Sequence, residues 1–390
     1  MITVADNNIS NPLLHQQMRA KRIQKMISAQ RFAIGVMTDG SLISSIPNYV
    51  YHSGKRSYIA DSWHNIISAA VGDDFTIGLL PSGKLLATGE NDMGQCNVSN
   101  WKNIVSIACG RNHTVGICAD GKVVATGMNT DGQCNVSFIS DAMQATASQW
   151  HTAILRKDGT VAVCGIQYPE IALWQNIASI ACGCSHIVGL HKNGTVSIAT
   201  ESSNHFLDQM TKQIARWNDI IAIAAYDDST LGLKADGTVV ASGCCYERLS
   251  NELSTWHDIV AIDVGGSFNN EFAIGVKKDG SVIFAGKPTT DCFKHPRIDI
   301  YPPKYNLNQW KLFYDADNID SEFKKRCTET RIRHDEEEKM NCEYMKQLLK
   351  KKQLLEEELS QTSRLFERKK RREIQEQIAV LEVKIDELKN

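Results

Sequence analysis

A turn glycine recurs seven times along the chain, and this repeat constrains the fold more than any other sequence feature. The glycines are 35 to 43 residues apart, and six of the seven follow Asp or Asn. They are Gly40, Gly83, Gly121, Gly159, Gly194, Gly237 and Gly280. Asp-Gly and Asn-Gly accept the positive φ of a two-residue hairpin turn, so each pair predicts a reversal between antiparallel strands.

The segments around each turn have the alternation of β-strands. An apolar segment such as TVGICADG leads into the turn, and a short one such as KVVATG follows it. Further upstream, NIVSIACG alternates, and its small residues suit a strand close to a narrow axis. Each repeat of roughly 39 residues therefore predicts three strands, with a short fourth near GQCNV.

The number of repeats decides how these small sheets are buried. No helical pattern lies between the turns, which excludes a βαβ unit. One such sheet cannot bury both of its faces, whereas seven arranged radially can. We predict an all-β, seven-bladed β-propeller over residues 23–313, followed by a long α-helical coiled-coil tail over residues 316–390. Residues 1–22 form an N-terminal extension, with a short helix that Asn11 caps and Pro12 begins.

A large aromatic residue precedes most of the inner strands at one fixed repeat position. We predict that these residues pack between adjacent blades, because a large ring buries much apolar area. Trp310 follows the last repeat, while the first inner strand has no Trp of its own, so Trp310 is expected to pack on the first blade and close the ring. The predicted packing residues are Trp63, Trp101, Phe138, Trp174, Trp217, Trp256 and Trp310.

The repeat resembles a known family. The pattern W-x-x-I-x-x-I-x-x-G-x-x-H-T, continued by D-G-x-V and G-x-N-x-x-G-Q, is similar to the regulator of chromosome condensation repeat, and residues 101–133 match it almost fully. The resemblance covers roughly residues 23–313 and is closest to the compact, bacterial-type members. It implies a seven-bladed propeller, but a fold of this kind hosts many functions.

The composition changes after the last repeat. Residues 304–390 contain no Gly and no Pro, and charged residues are frequent. Apolar residues follow the spacing of a coiled-coil seam, with a one-residue slip near Arg368–Arg372. This slip leaves open whether the tail is one continuous helix or a hairpin. The seam residues are Leu348, Leu355, Leu359, Phe366, Ile374, Ile378, Leu381, Ile385 and Leu388.

Several clusters raise the question of chemistry, but each has a structural interpretation. His113, His151 and His186 share one repeat position, where other repeats have Phe, so we predict structural histidines that hydrogen-bond the backbone. The segment CGCSH, residues 182–186, is the densest metal-like cluster, yet one local cluster rarely supplies four ligands. We predict no catalytic residue, no metal and no cofactor, and free thiols for the cysteines.

The loop between the inner strand and the next strand is our candidate binding site. All copies of this loop emerge on one face around the axis, and their residues vary as expected for a recognition surface. Arg and aromatic residues are typical anchors of protein interfaces, although Trp150 could instead pack on a neighbouring loop. The candidate residues are Asp74, Arg111, Asn112, Gln149, Trp150, Tyr226, Asp227 and Phe268.

These observations predict a non-enzymatic protein–protein interaction scaffold, with a propeller face for recognition and a tail for oligomerisation or docking. The alternatives implied by the resemblance are guanine nucleotide exchange on a small GTPase and inhibition of a partner enzyme. For exchange, the sequence shows no clear wedge, since the one sizeable insertion is residues 287–309. The net charge of −2 gives no footprint for nucleic acid. We expect a protein partner, a homo-oligomer as one alternative, no membrane and a cytoplasmic, bacterial setting.

Overall fold

The computed structural model describes most of the repeat region and parts of the tail. The described residues are 12–45, 50–52, 55–57, 63–201, 204–267, 270–286, 310–313, 340, 343–360 and 368–389. They fall into two compact units, Met1–Lys324 and Lys325–Asn390.

The first unit contains seven three-stranded antiparallel sheets, numbered here as blades 1 to 7 in chain order. The inner strands are Ile27–Ala29, Ser68–Val71, Ile104–Cys109, Ala142–Ala147, Ile177–Cys182, Ile220–Tyr226 and Ile259–Ser267. The middle strands are Ala33–Val36, Phe75–Leu79, His113–Cys118, His151–Arg156, His186–His191, Ser229–Lys234 and Asn270–Lys277. The outer strands are Leu42–Ser44, Leu85–Gly89, Val123–Gly127, Val161–Gly165, Val196–Thr200, Val239–Gly243 and Val282–Gly286.

The blades form a closed ring. Each inner strand contacts the inner strand of the next blade, and the inner strand of blade 7 contacts that of blade 1. In each blade the middle strand pairs with both others, as in the register Val115 with Ala108 and with Ala125. Blade 1 is followed by a small hairpin, Val50–His52 and Lys55–Ser57. The prediction of a seven-bladed β-propeller is therefore confirmed.

The hairpin turns differ in detail from the prediction. At Gly121 the glycine alone has a positive φ, 90°, and its N–H donates to the carbonyl of Cys118 at 2.9 Å. The loop is therefore a three-residue turn with the glycine in the left-handed region, not a two-residue turn. Asp120 contributes through its side chain, because its Oδ1 accepts the backbone N–H of Lys122 at 3.0 Å.

The predicted fourth strand near GQCNV does not form. In blade 2 its polar groups bond locally instead: Gln95 Oε1 accepts the N–H of Met93 at 3.0 Å, and Asn91 Oδ1 accepts that of Cys96 at 2.8 Å. Three later blades carry a short helical segment after the outer strand, which the sequence pattern did not predict. These are a 3-10 helix at Pro169–Leu173, helix α2 at His205–Ile214 and helix α3 at Cys244–Leu253.

The N-terminal helix belongs to the propeller unit. Helix α1 spans Pro12–Gln24, and so extends beyond residue 22. Its Gln17 Nε2 donates to the carbonyls of His191 at 3.0 Å and Ile220 at 3.2 Å, and Gln24 Nε2 donates to that of Ile223 at 3.0 Å. The helix therefore bonds the inner strand of blade 6 and the last residue of the middle strand of blade 5, and its Lys21 and Gln24 line one end of the central channel.

The recurring Trp packs on a glycine of the middle strand. A Cβ atom placed on that glycine would lie 2.6–2.9 Å from the ring, so the glycine makes room for the Trp. The pairs are Trp63 with Gly78, Trp101 with Gly116, Trp174 with Gly189, Trp217 with Gly232 and Trp256 with Gly275.

Blade 4 departs from this scheme, and the position predicted for Phe138 is wrong. Phe138 is 67% exposed, whereas its neighbour Ile139 is 1% exposed. Ile139 lies three residues before the inner strand, the offset that Trp101 has in blade 3. In place of the glycine, blade 4 has Ile154, in the same apolar cluster as Ile139. Two isoleucines thus fill the volume that Trp and Gly fill elsewhere.

Blade 7 joins blade 1 at the closure of the ring. Asp263 Oδ2 accepts the N–H of Ala29 at 2.9 Å, and the N–H of Gly266 donates to Gln30 O at 2.6 Å. Trp310, which is 2% exposed, packs edge-on against Phe284 of blade 7. A Cβ on Gly35 of blade 1 would be 3.4 Å from its ring. Trp310 thus lies between the first and last blades.

The described residues of the second unit include a helix at residues 343–360 and helix α4 at Arg368–Lys389. Leu348 of the first packs with Leu381 and Ile385 of α4, and Lys352 Nζ is 2.9 Å from Glu382 Oε1. These three seam residues therefore pack on each other within one chain. Leu355, Leu359, Ile374 and Ile378 are buried or half-buried, whereas Phe366 and the side chain of Leu388 lie outside the described residues. A long coiled coil is not confirmed.

Candidate partner-binding face at the channel mouth

In blades 1 to 6, short loops join the inner strand to the middle strand and lie at the end of the channel opposite α1. Within a loop the backbone bonds to itself, as Gly110 N–H to His113 O at 2.9 Å. Between loops, the N–H of Asp73 donates to Arg111 O at 3.2 Å and that of Arg111 to Ser148 O at 3.3 Å. The loops are close enough that a Cβ on Gly110 would collide with Ser148 O, which explains the glycine. Backbone hydrogen bonds therefore connect neighbouring loops around this end of the channel, and we call these loops the rim.

In blades 1 to 6, the loop residue at the repeat position of Arg111 faces the central channel. These residues line a channel cavity of about 620 Å³, and they differ in chemistry from blade to blade. In chain order they are Gln30, Asp73, Arg111, Gln149, Cys184 and Asp227.

An ion cluster centred on Asp73 organises one side of the rim. Its Oδ2 is 3.1 Å from Arg31 Nη2 and accepts a hydrogen bond from Arg111 Nε. Burial raises the pKa of Asp73, and the two guanidinium groups oppose that rise. Arg111 also donates from Nη1 to Gln149 Oε1 at 2.6 Å. Four blades are thus connected through side chains at the mouth.

Tyr226 and Asp227 complete this region from blade 6. Burial raises the pKa of Tyr226 well above its usual range, the carboxylates of Asp73 and Asp227 add to the rise, and Arg31 and Arg111 oppose it. Burial and the adjacent Asp228 raise the pKa of Asp227, while Arg111 lowers it. Tyr226 therefore lies among the same charged groups as Arg111.

The structure brings together Arg111, Gln149, Tyr226 and Asp227, which all line the cavity. Asp74 lies beside them, with its Oδ2 3.4 Å from Arg31 Nη1. Asn112 and Trp150 are the last residues of their loops and are half-buried. Phe268 lies outside the described residues.

Sequence reasoning missed three residues of this rim: Arg31, Asp73 and Gln30. Gln30 Nε2 donates to Cys109 O at 2.8 Å, so it reaches from blade 1 to blade 3. Gln30 and Asp73 stand at the same repeat position as Arg111 and Gln149. That shared position is a signal that could have identified them.

The three phased histidines are structural, but their partners are not the backbone. His113 Nε2 is 2.9 Å from Thr152 Oγ1 of the next blade, and Thr152 in turn donates to Gln133 O at 2.8 Å. Nε2 therefore carries the proton. His186 Nε2 is 2.7 Å from Thr230 Oγ1, and Tyr168 Oη is 3.2 Å from His151 Nδ1. These hydroxyl contacts link neighbouring blades, except that of His151, which stays within blade 4 and its following segment.

Burial lowers the pKa of each of these histidines, to about 4 for His113 and His186 and about 3 for His151. The rings are therefore neutral at physiological pH. In the described part of the chain, no three His, Cys, Asp or Glu side chains are grouped so as to hold a metal ion. None of the described helices has the length and apolar character needed to span a membrane.

The regulator of chromosome condensation (RCC1) repeat model matches residues 66–95 and 104–133. The resemblance seen in the sequence is thereby confirmed: the chain carries RCC1 repeats, in blades 2 and 3. The comparison with curated proteins found no matching sequence.

Solved structures with this fold include plant receptor ectodomains. The CRINKLY WD40 ectodomain of the Arabidopsis thaliana receptor kinase ACR4 is 19% identical, with a TM-score of 0.50 over 67% of this chain and 93% of that one. The Physcomitrella patens receptor kinase CR4 ectodomain is 17% identical, with a TM-score of 0.50 over 67% and 72%. Yeast RCC1 (Prp20), solved bound to Kap60, is 15% identical, with a TM-score of 0.46 over 69% and 81%. These likenesses concern the fold.

Proposed function

We propose that this protein is a non-enzymatic interaction scaffold whose channel-mouth face recognises a protein partner. The RCC1-type propeller is compatible with such a role. The observation that carries the proposal is the fixed presentation of Arg111 at the mouth. Its side chain is 41% exposed, yet Asp73 and Gln149 hold it from two neighbouring blades.

This arrangement suits recognition because the guanidinium group needs little ordering when a partner binds. Side chains that are already immobilised lose less conformational entropy on association. Arg and Tyr are also enriched among the residues that dominate binding energies. Arg111, with Tyr226 beside it, offers this chemistry on a rim whose loops are tied together by backbone hydrogen bonds.

We propose further that the tail docks to another protein as a folded helical pair. The pairing of Leu348 with Leu381 and Ile385 supports docking over self-association through the seam, because these three seam residues already pack together within one chain. Light scattering on the full chain should then give the mass of a monomer. A discrete dimer that dissociates on Leu381→Ala would contradict this part of the proposal.

The test of the recognition face compares two matched charge deletions on the full chain. Arg111→Ala removes the cation at the mouth, and Lys122→Ala removes an exposed cation from a turn between middle and outer strands. Proteins retained by the wild type are identified from a host lysate, and each candidate is purified and its dissociation constant measured. We expect a partner that binds the wild type and Lys122→Ala equally and Arg111→Ala at least about tenfold more weakly.

One outcome would contradict the proposed recognition face. Purified partners whose affinity is unchanged by Arg111→Ala, Gln149→Ala and Tyr226→Ala would show that recognition occurs elsewhere. Thermal unfolding of each variant separates a lost contact from a lost fold.

A further inference from the structure

The end of the central channel where α1 lies differs from the mouth in the charged groups that line it. Here the wall is formed by Lys21 and Gln24 of α1, by Lys25 just after it, and by the beginnings of the inner strands. The mouth cluster is at the other end, where Asp73 already pairs with Arg31 and Arg111. The cavity between them, about 620 Å³, has the size of small-molecule sites.

Two lysines, Lys21 and Lys25, lie at the α1 end of the cavity. Lys21 makes one long hydrogen bond, 3.4 Å from Nζ to Ala178 O, although an ammonium group has three donors. No carboxylate among the described residues forms an ion pair with Lys21 or Lys25. Desolvation in the channel lowers the pKa of Lys21 to about 8, and the nearby charge of Lys25 lowers it too. Desolvation, and then Arg22, likewise lower the pKa of Lys25.

Lys21 is half-buried and Lys25 is exposed. Their like charges repel each other, and an anion between them would relieve that repulsion. A phosphate group fits this need, because it carries up to two negative charges and accepts several hydrogen bonds from lysine donors. We propose that the channel binds a small phosphate-bearing molecule, with the phosphate at Lys21 and Lys25.

The remaining wall indicates the rest of the ligand. Small apolar residues from six blades line it, among them Ala70, Ala108, Ala181 and Ala224, together with polar residues such as Ser106, Gln144 and Thr146. Such a wall offers an uncharged body both apolar contact and hydrogen bonds. The ligand is therefore a monophosphate with an uncharged, partly apolar body, which extends from the lysines along the axis.

Phenyl phosphate is a simple probe of this chemistry, and phenol is the matched molecule without the phosphate. Calorimetric titration of the full chain at pH 8 should show one saturable site for phenyl phosphate and much weaker binding of phenol. Lys21→Met and Lys25→Met should each weaken phenyl phosphate binding by about 10- to 100-fold, the range for lost hydrogen bonds to a charged group. Lys157→Met, at an exposed turn outside the cavity wall, should leave binding unchanged.

A second readout distinguishes a direct role of Lys21 from a change in the fold. At pH 8 this amine is close to half protonated, so anion binding should draw a proton onto it. The measured enthalpy should then depend on the ionisation enthalpy of the buffer in the wild type and not in Lys21→Met. Lys21→Arg, which keeps the charge, should retain most of the affinity.

Two results would overturn the proposal. One is binding of phenyl phosphate that Lys21→Met and Lys25→Met leave unchanged. The other is binding that Lys157→Met weakens as much as they do, which would indicate general attraction to surface cations. Neither result bears on the Arg111 face, whose partner binding is measured separately.

Discussion

Blades 3 and 4 occupy equivalent places in the ring, yet they fill the same interior volume in different ways. In blade 3, Trp101 packs on Gly116. In blade 4, Ile139 and Ile154 are both buried, and the aromatic residue Phe138 is displaced into solvent. This difference indicates that the two packing positions of the repeat require a certain combined side-chain volume rather than a particular residue, as expected where interiors are close-packed.

The same lesson applies at the start of the middle strand. Blades 3, 4 and 5 begin it with a buried His, whereas blades 2 and 7 have a buried Phe at the equivalent position. A ring fills the space in each case, but the histidine adds a hydrogen bond to a hydroxyl and a sensitivity to acid. Four predictions test these comparisons.

The largest effect is expected from removing a ring in a Trp–Gly blade. Trp256 is 6% exposed and lies over Gly275, which cannot fill the space left behind. Trp256→Ala should lower the free energy of unfolding by about 3–5 kcal/mol, the usual cost of such a cavity. Chemical denaturation measures it, and a loss below about 1 kcal/mol would mean that the Trp is not a packing residue.

The next effect concerns pH. In the unfolded chain His113 titrates near its ordinary pKa, about 6.5, whereas burial lowers its pKa to about 4 in the folded protein. The unfolded state therefore binds more protons between these values, and stability that is complete above pH 6.5 is lost as the pH falls toward 4. The loss is about 3 kcal/mol for one histidine.

A matched substitution isolates this contribution. His113→Phe adopts the residue type of blades 2 and 7, so the slope of stability with pH between 4 and 6.5 should fall by about 1.4 kcal/mol per pH unit. Denaturation midpoints at several pH values give the slope. An unchanged slope would show that His113 is not responsible for acid sensitivity.

A double substitution can replace the Trp–Gly pair of blade 3 with the two isoleucines found in blade 4. Gly116→Ile alone should cost about 1–3 kcal/mol, because a Cβ there would lie 2.8 Å from the Trp101 ring. Trp101→Ile in the same chain should recover part of this loss, with a coupling energy of about 0.5–3 kcal/mol in a double-mutant cycle. Strict additivity of the two changes would refute the idea of a shared volume.

The smallest effect is expected at Phe138. Its side chain is 67% exposed, so Phe138→Ala should change the free energy of unfolding by no more than about 0.5 kcal/mol. Comparison with Trp256→Ala shows whether any large aromatic residue before the inner strand stabilises the fold, or only one that is buried. A loss comparable to that of Trp256→Ala would place Phe138 inside the fold.

Much of the propeller follows from local pattern. The Asp-Gly and Asn-Gly turns mark where strands reverse, because glycine alone takes the left-handed conformation easily, and the alternation on either side marks the strands. The pattern does not distinguish Phe138 from Ile139 as the packing residue. That choice depends on whether residue 154, on another strand, is Gly or Ile, and so it requires the pairing of the strands.

The sequence predicted which loops form the candidate site, but not the ion cluster that connects their side chains. Repeat phase identified Arg111, Gln149 and Asp227 as neighbours on one face. Their connection runs through Asp73 and Arg31, which are separated from Arg111 by 38 and 80 positions in the chain. Whether charges at such separations meet depends on the curvature of the whole ring, which no local window contains.

The seven repeats, their strands and the positions of the turns between them follow from the sequence alone, because these depend on backbone preferences and on short-range periodicity. The position of α1 at one end of the channel, the identity of the loop residues that line the cavity and the packing of the tail helices on each other require the tertiary structure. Each of these depends on contacts between residues that are far apart in the chain. Such contacts stabilise the fold only after the loop between the residues has closed.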